Sequence, residues 1–184
     1  MADDAAAAFA LLGEPTRLDI LRALGDPVEP GRVRELSFSE LREQVDAGSS
    51  RFNYHLDALR GEFVTRTESG YRLTNPGLLV YTAMRDGRFG EGPELAPFAL
   101  DTDCHECGAP LRAEYVDGAL ELWCDDCGAF LYQRPVPPAV LDREGREGLL
   151  AAAAANLRME FGERRARRCP VCGVGVESEL TTET

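Results

Sequence analysis

The sequence contains no lysine. All 20 of its basic residues are arginine, against 32 acidic residues, which leaves a net charge of −12. Asparagine and glutamine are few and alanine is abundant, and this combination is typical of proteins adapted to molar internal salt. An acidic net charge normally argues against nucleic-acid binding. Because the Debye length is only about 3 Å at 1 M salt, however, that overall repulsion would be screened.

Other absences exclude whole classes of protein. No apolar run is long enough to span a membrane. No basic region precedes the apolar stretch near the amino terminus, so we expect no secretory signal and predict a cytoplasmic protein. The sequence has only two histidines, His55 and His105, and it has no phosphate-binding loop and no nucleophile motif. It therefore predicts a protein that is not an enzyme, and it indicates no particular small-molecule effector.

A helix followed directly by a β-hairpin is predicted over residues 49–74. Phe52, Leu56 and Leu59 recur at helical spacing and should face a core, with His55 on the same stripe. Two short β-rich runs within residues 63–74 follow, separated by a tight turn at residues 68–70. The polar residues of the opposite helix face and the arginines of the hairpin suit the bases and phosphates of DNA: Ser49, Ser50, Arg51, Asn53, Tyr54, Asp57, Arg66 and Arg72. An ordinary surface helix and hairpin would show the same periodicity.

Two predicted upstream helices favour the DNA-binding interpretation. Pro15 suits the first turn of a helix that runs to Leu24. Ser37 or Ser39 can cap a second helix, which runs towards Val45, and a short turn containing Gly48 leads into the helix at residue 49. A helix-turn-helix has this order: a first helix, a turn that contains glycine, and a second helix with polar outer residues. With the hairpin added, the predicted fold is a winged helix-turn-helix. Residues 49–74 carry a net charge of +1, against −3 for residues 1–88 and −9 for the rest.

These motifs together resemble the ArsR-like winged-helix transcription regulators, in the form common in halophilic archaea. The resemblance covers about residues 5–86 and includes LLGEPTRLDILRAL, FSELREQV, RFNYHLDALRGEFV and ESGYRLT in that order. It implies sequence-specific binding of double-stranded DNA, usually by a homodimer, with residues 49–60 in the major groove and residues 63–74 as the wing. Metal-sensing members carry cysteines on the helix before the turn. This chain has none there, so metal sensing by that route is not expected.

Four of the six cysteines have the spacing of a zinc ribbon. Cys104 and Cys107 form one CxxC pair, Cys124 and Cys127 form another, and Asp117-Gly118 between them favours a hairpin turn. The hairpin would bring the pairs together, and residues 129–134 would add a third strand. Because four thiolates leave no open coordination position, we predict a structural Zn²⁺. The alternative is four buried or disulfide-bonded cysteines, which a reducing compartment disfavours.

Cys169 and Cys172 form a third CxxC pair and a candidate second metal site. Only a short cysteine-free segment follows. Three explanations remain open: a truncated second ribbon, which the sequence favours, a zinc ion shared between two subunits, or an idle dithiol. A redox role would need a thioredoxin-like βαβ pattern, which does not surround this pair.

The sequence therefore predicts an α+β protein with an N-terminal winged helix-turn-helix, a small β zinc ribbon and a C-terminal helix. The predicted segments are a DNA-binding domain over 1–88, a linker over 89–100, the ribbon over 101–135, and a helix with the third CxxC pair over 136–184. The predicted function is a DNA-binding transcriptional regulator. The alternative is an interaction module that binds the transcription machinery through both domains.

Overall fold

A computed structural model describes residues 2–26, 34–90, 92–170 and 172–177 of the chain. The fold is mixed α+β, with helices and two small antiparallel sheets. The chain divides into two compact units, Met1–Arg85 and Asp86–Thr184. Among the described residues, no helix has both the length and the apolar character needed to cross a membrane.

The first unit contains five helices and one two-stranded sheet among its described residues. In chain order they are α1 Ala2–Leu11, α2 Pro15–Gly25, α3 Phe38–Gln44, α4 Ser49–Leu59, β1 Val64–Arg66, β2 Tyr71–Leu73 and α5 Asn75–Arg85. Strands β1 and β2 pair antiparallel, with Val64 opposite Leu73. The helix and hairpin predicted over residues 49–74 are therefore present as α4, β1 and β2.

Local sequence explains where these helices begin. Pro15 opens α2, where its missing N–H and fixed φ cost nothing. Ser37 and Glu40 form a capping box at α3: the Ser37 hydroxyl accepts from the Glu40 N–H, and the Glu40 carboxylate accepts from the Ser37 N–H at 2.8 Å. Two N–H groups at the amino-terminal end of the helix thereby find partners, which helps a helix of only seven residues to form.

One core holds the first unit together. It takes side chains from three helices and from the hairpin, all of which are at most 5% exposed: Ile20, Leu21, Leu24, Leu41, Phe52, Leu56, Leu59, Val64 and Leu73. The backbone of Leu36, just before α3, also pairs with Tyr71 of β2 through N–H···O bonds of 3.0 and 2.8 Å. The hairpin is therefore attached to the entrance of α3 as well as to the core.

The second unit is a four-stranded antiparallel sheet followed by a long helix. Its elements are β3 Leu95–Asp103, β4 Pro110–Val116, β5 Ala119–Trp123, β6 Phe130–Pro135 and α6 Pro138–Arg165, with sheet order β3-β4-β5-β6. The predicted turn between β4 and β5 has φ values of 49° at Asp117 and 73° at Gly118, in the left-handed region that this hairpin turn requires. Tyr115, Leu120, Val136 and Leu149 form the centre of its core, at 0–1% exposed.

Two parts of the second unit differ from the sequence prediction. Residues 95–100, predicted as part of a linker over 89–100, belong to strand β3. The glycines of the predicted linker, Gly90 and Gly92, precede the strand. Pro97 lies on an edge strand, where a missing N–H is tolerated, and the register slips on either side of Phe98 and Ala99. The final helix also differs from a single regular helix, because it begins at Pro138 and carries a kink at Gly145, whose φ is 65°.

Candidate functional site: a polar helix face and a four-cysteine cluster

Helix α4 has one buried face and one exposed polar face. Phe52, Leu56 and Leu59 are at most 2% exposed and belong to the core of the first unit. The opposite side is exposed at every position that the sequence selected: Ser49, Ser50, Arg51, Asn53, Tyr54 and Asp57. Tyr54 is the extreme case, with 66% of its surface accessible although it is a large aromatic residue. The helix therefore presents hydrogen-bond donors and acceptors together with an exposed aromatic ring.

The hairpin places its two selected arginines in solvent as well. Arg66 and Arg72 are exposed, while Val64, Tyr71 and Leu73 of the same strands are buried. The turn is held from outside the hairpin, because the hydroxyls of Thr67 and Ser69 both donate to the Glu35 carboxylate. These contacts restrict the turn from which the two arginine-bearing strands extend.

Beneath the amino-terminal half of α4 lies a charged cluster that the sequence analysis missed. The Arg51 guanidinium donates to the Glu14 carboxylate at 2.6 Å. The same carboxylate oxygen lies 3.7 Å from Nε2 of His55. Arg17 donates from its Nε to Nδ1 of His55 at 3.2 Å and from Nη1 to the Leu11 carbonyl. Glu14 and Arg51 are 37 positions apart, so helical periodicity alone could not predict their contact.

The pKa values of this cluster follow from its geometry. Burial lowers the pKa of His55, which is 7% exposed, and the nearby arginines lower it further although Glu14 acts in the opposite direction. The hydrogen bond from Arg51 lowers the pKa of Glu14. At neutral pH the cluster therefore contains a neutral imidazole and an ionised carboxylate that holds Arg51. His55 lies on the inner side of α4, as predicted.

The second candidate site is the cluster of Cys104, Cys107, Cys124 and Cys127. Their four Sγ atoms all lie within 4.8 Å of one another. Cys104 and Cys127 are 3.7 Å apart at sulfur, and Cys107 and Cys124 are 3.5 Å apart. A tetrahedral ion with metal–sulfur bonds of about 2.3 Å separates its ligand atoms by about 3.8 Å, so the cluster is compatible with a bound metal ion.

Backbone hydrogen bonds shape each half of this cluster. The N–H of Cys104 donates to the Ala109 carbonyl at 2.7 Å, and that of Cys124 donates to Ala129 at 2.9 Å. Gly108 and Gly128 close the two turns with φ values of 77° and 73°, a region in which a side chain would be strained. Cys104 and Cys124 are buried, whereas Cys107 and Cys127 are exposed.

The thiols of the cluster differ in acidity. Backbone N–H groups, first that of Cys127, stabilise the thiolate of Cys124 and lower its pKa to about 7. The Ala109 N–H acts in the same direction on Cys107, but contacts with the neighbouring thiols and desolvation outweigh it and raise the pKa of Cys107 to about 12. One thiol is therefore ready to bind a cation near neutral pH, whereas another would release its proton as a cation binds.

The structure does not bring Cys169 and Cys172 into this cluster. Cys169 is half-buried and Cys172 is exposed, in the segment that follows α6. The chain's other histidine, His105, lies inside the first cysteine turn and contacts Glu106, with its Nε2 at 3.0 Å from the carboxylate.

In comparisons with known proteins, two families match separate segments of the chain. A family described as a domain of unknown function (DUF7347) matches residues 5–84, and a second, described as a domain of unknown function (DUF7351), matches residues 101–184. No curated protein matches the chain, and no solved structure does. The chain is thus similar to DUF7347 over nearly all of its first compact unit and to DUF7351 over most of its second.

Proposed function

We propose that the protein is a DNA-binding transcriptional regulator in which α4 reads the major groove. The observation that carries this proposal is the two-sided character of α4. Phe52, Leu56 and Leu59 lie in the core, and the polar residues of the helix other than His55 are exposed on the opposite face. An α-helix fits the major groove, and Arg and Asn are residue types that bind base edges bidentately. In this proposal Arg51 and Asn53 read bases, and Ser49, Ser50, Tyr54 and Asp57 complete the contact.

The neighbouring elements support a winged helix-turn-helix. Helix α3 precedes α4 across a short turn, as the supporting helix of such a motif does, and the β1–β2 hairpin follows as the wing. Exposed Arg66 and Arg72 on the hairpin would contact phosphates or the minor groove. The protein would bind double-stranded DNA as a homodimer, and its role would be regulatory rather than catalytic.

In the second unit we propose that the four-cysteine cluster holds a structural Zn²⁺. Four thiolates at tetrahedral spacing favour this ion and leave no position for a substrate or water. The ribbon would then position the dimer, hold a partner or add a DNA contact.

The direct test is selection of binding sites from a random duplex library by the full-length protein in molar KCl. We expect enrichment of one near-palindromic motif, followed by measurable affinity in fluorescence anisotropy. Arg51→Ala and Asn53→Ala should each weaken binding to that motif by about tenfold or more, since a bidentate base contact contributes about 1–3 kcal/mol. Circular dichroism should show unchanged folding, because both side chains are exposed.

Arg22→Ala is the matched control. Arg22 is exposed and forms a 2.8 Å ion pair with Asp19, as Arg51 does with Glu14, but it lies on α2. Its variant should bind the motif like the wild type. Retained affinity in the Arg51 and Asn53 variants would disprove the assignment of α4 as the reading helix.

A second candidate function is an interaction module for the transcription machinery. Two observations favour it: the net charge of −12, and large apolar side chains in solvent, with Phe9 72% and Leu79 73% exposed. Absence of any enriched DNA motif, together with co-purification of RNA polymerase subunits that Leu79→Ser abolishes, would support this function instead.

A further inference from the structure

The third CxxC pair already has the backbone geometry of a metal-binding turn. The N–H of Cys169 donates to the Val174 carbonyl at 2.8 Å, and the N–H of Gly173 donates to the Cys169 carbonyl at 2.8 Å. These bonds connect the same relative positions as in the turns at Cys104 and Cys124. Gly173 has a φ of 72°, against 77° and 73° at Gly108 and Gly128. The pair thus has the conformation that, elsewhere in the chain, directs two sulfur atoms towards a common centre.

This turn is fixed to the end of α6. The N–H of Arg168 donates to the Glu163 carbonyl at 2.9 Å, and that of Arg167 donates to Arg164 at 3.0 Å, which together form a Schellman cap. Arg167 takes the left-handed position of the cap with a φ of 56°, although it is not glycine. Such a conformation persists only where the surrounding structure requires it. The Arg168 guanidinium also donates to the Gly173 carbonyl at 2.8 Å, so helix and turn are joined at several points.

The third turn supplies two thiolates, which is half of a four-thiolate site. The sequence has six cysteines, and the other four form the cluster in the ribbon. A site built from two CxxC turns has twofold symmetry, however, and the ribbon cluster displays it. The first cysteine of each turn lies beside the second cysteine of the other, at 3.7 and 3.5 Å between sulfurs. Two copies of one turn, related by a twofold axis through the metal, would give the same arrangement.

The surface around the turn has the character of a contact between proteins. Val174 and Val176, within the turn segment, are 63% and 40% exposed, and Met159 near the end of α6 is 67% exposed. Met159 and Cys169 line the same surface hollow. Exposed apolar side chains grouped around a half-complete metal site are typical of a surface that another molecule covers.

We infer that Cys169 and Cys172 bind a thiophilic divalent metal ion such as Zn²⁺ jointly with the same pair of a second copy of this chain. The thiols lose their protons as the ion binds, so the shared ion connects two chains through four thiolates. This site is separate from the ribbon cluster, and it does not depend on whether the protein binds DNA.

The metal content of the full-length protein tests the shared site. In native mass spectrometry with Zn²⁺ and a phosphine reductant, we expect a dimer that carries three ions, about 1.5 per chain. Cys169→Ser/Cys172→Ser should lower this to about 1.0 per chain and, if the shared ion is the only link, yield monomers. Cys172→Ser alone changes one exposed side chain and should give the same loss. Val176→Ser, which alters the apolar surface without removing a thiol, should keep the third ion.

The metal count decides the outcome. A drop to about one ion per chain in the cysteine variants supports the site even where the chains still associate through another surface. A wild-type content of one ion per chain overturns it, because the third turn would then bind no metal. A content of two ions per chain in a monomer also overturns it, because each chain would then complete the site alone.

Discussion

Glu14 holds Arg51 in an ion pair, and this pair bears on the proposed contact between Arg51 and DNA. The 2.6 Å ion pair holds the guanidinium against the base of α4, and the lowered pKa of Glu14 keeps the carboxylate charged at neutral pH. To bind a base edge or a phosphate, the Arg51 guanidinium must leave the Glu14 carboxylate or divide its N–H donors between that carboxylate and the DNA. If α4 reads DNA, Glu14 therefore competes with the nucleic acid for Arg51, and its negative charge also repels the phosphates.

We predict that Glu14→Gln tightens binding to the selected DNA motif by roughly twofold to fivefold, in line with the modest strength of exposed ion pairs. The amide keeps the size of the side chain and its hydrogen bond with Thr16 but removes the charge. Fluorescence anisotropy in molar KCl measures the change.

Asp19→Asn is the matched control for this prediction. It neutralises the carboxylate of the Asp19–Arg22 pair on α2, where no DNA contact is proposed, and affinity should stay at the wild-type value. Weaker binding by Glu14→Gln would contradict the competition, because Glu14 would then orient Arg51 for its contact with DNA.

At the scale of the elements, α2 and α5 meet at Gly25. A Cβ placed on Gly25 would meet three ring atoms of Tyr81 at distances shorter than real side chains tolerate. The Tyr81 ring has little room to move, because it is only 2% exposed and its hydroxyl donates to Asp26. The position of α5 against the core therefore depends on the absence of a side chain at the end of α2.

We predict that Gly25→Ala lowers the stability of the first unit by about 1–3 kcal/mol, the usual cost of overpacking a core. The transition of that unit should fall by several degrees in a thermal scan followed by circular dichroism. Gly13→Ala is the control, since its Cβ would meet only the Ala10 carbonyl at an ordinary 3.7 Å. Equal transitions in the two variants would show that the tyrosine ring can move aside.

Elements with strong local signals could be predicted from the sequence. Helix α4 follows from the spacing of Phe52, Leu56 and Leu59, and its exposed face follows from the same periodicity. The hairpin between the two ribbon cysteine pairs follows from Asp117-Gly118. The convergence of four cysteines follows from their spacing, because each CxxC turn forms locally and the hairpin brings the two turns together.

The remaining features depend on contacts between distant residues. Strand β3 has no alternating pattern and contains Pro97, so only its pairing with β4 defines it. The attachment of Leu36 to Tyr71 uses backbone groups, which every residue has. The ion pair between Glu14 and Arg51 forms only after α2 and α4 have packed. Local patterns contain no information about such contacts.

At the scale of the whole molecule, the distribution of charge determines how DNA could be bound. The net charge is −12, yet residues 49–74 carry +1, while the rest of residues 1–88 carries −4 and residues 89–184 carry −9. The acidic residues outside 49–74 would repel DNA over about one Debye length, which is about 10 Å at 0.1 M salt and about 3 Å at 1 M salt. Raising the salt thus weakens both the attraction of the arginines and the repulsion by the acidic surface.

We therefore predict an unusually weak salt dependence of DNA binding. The proposed contacts are three exposed arginines, Arg51, Arg66 and Arg72. If all three met phosphates, a plot of the logarithm of affinity against the logarithm of salt concentration would have a slope of about −2.7 per chain. Screening of the repulsion should make the measured slope shallower still. Anisotropy titrations with the selected motif between moderate and molar KCl provide the slope.

The double variant Arg66→Ala/Arg72→Ala should make the slope shallower still. It should weaken the binding of all DNA sequences alike, since wing contacts carry no base specificity in this scheme. A slope much steeper than −2.7 would mean that phosphate contacts outside α4 and the hairpin dominate binding.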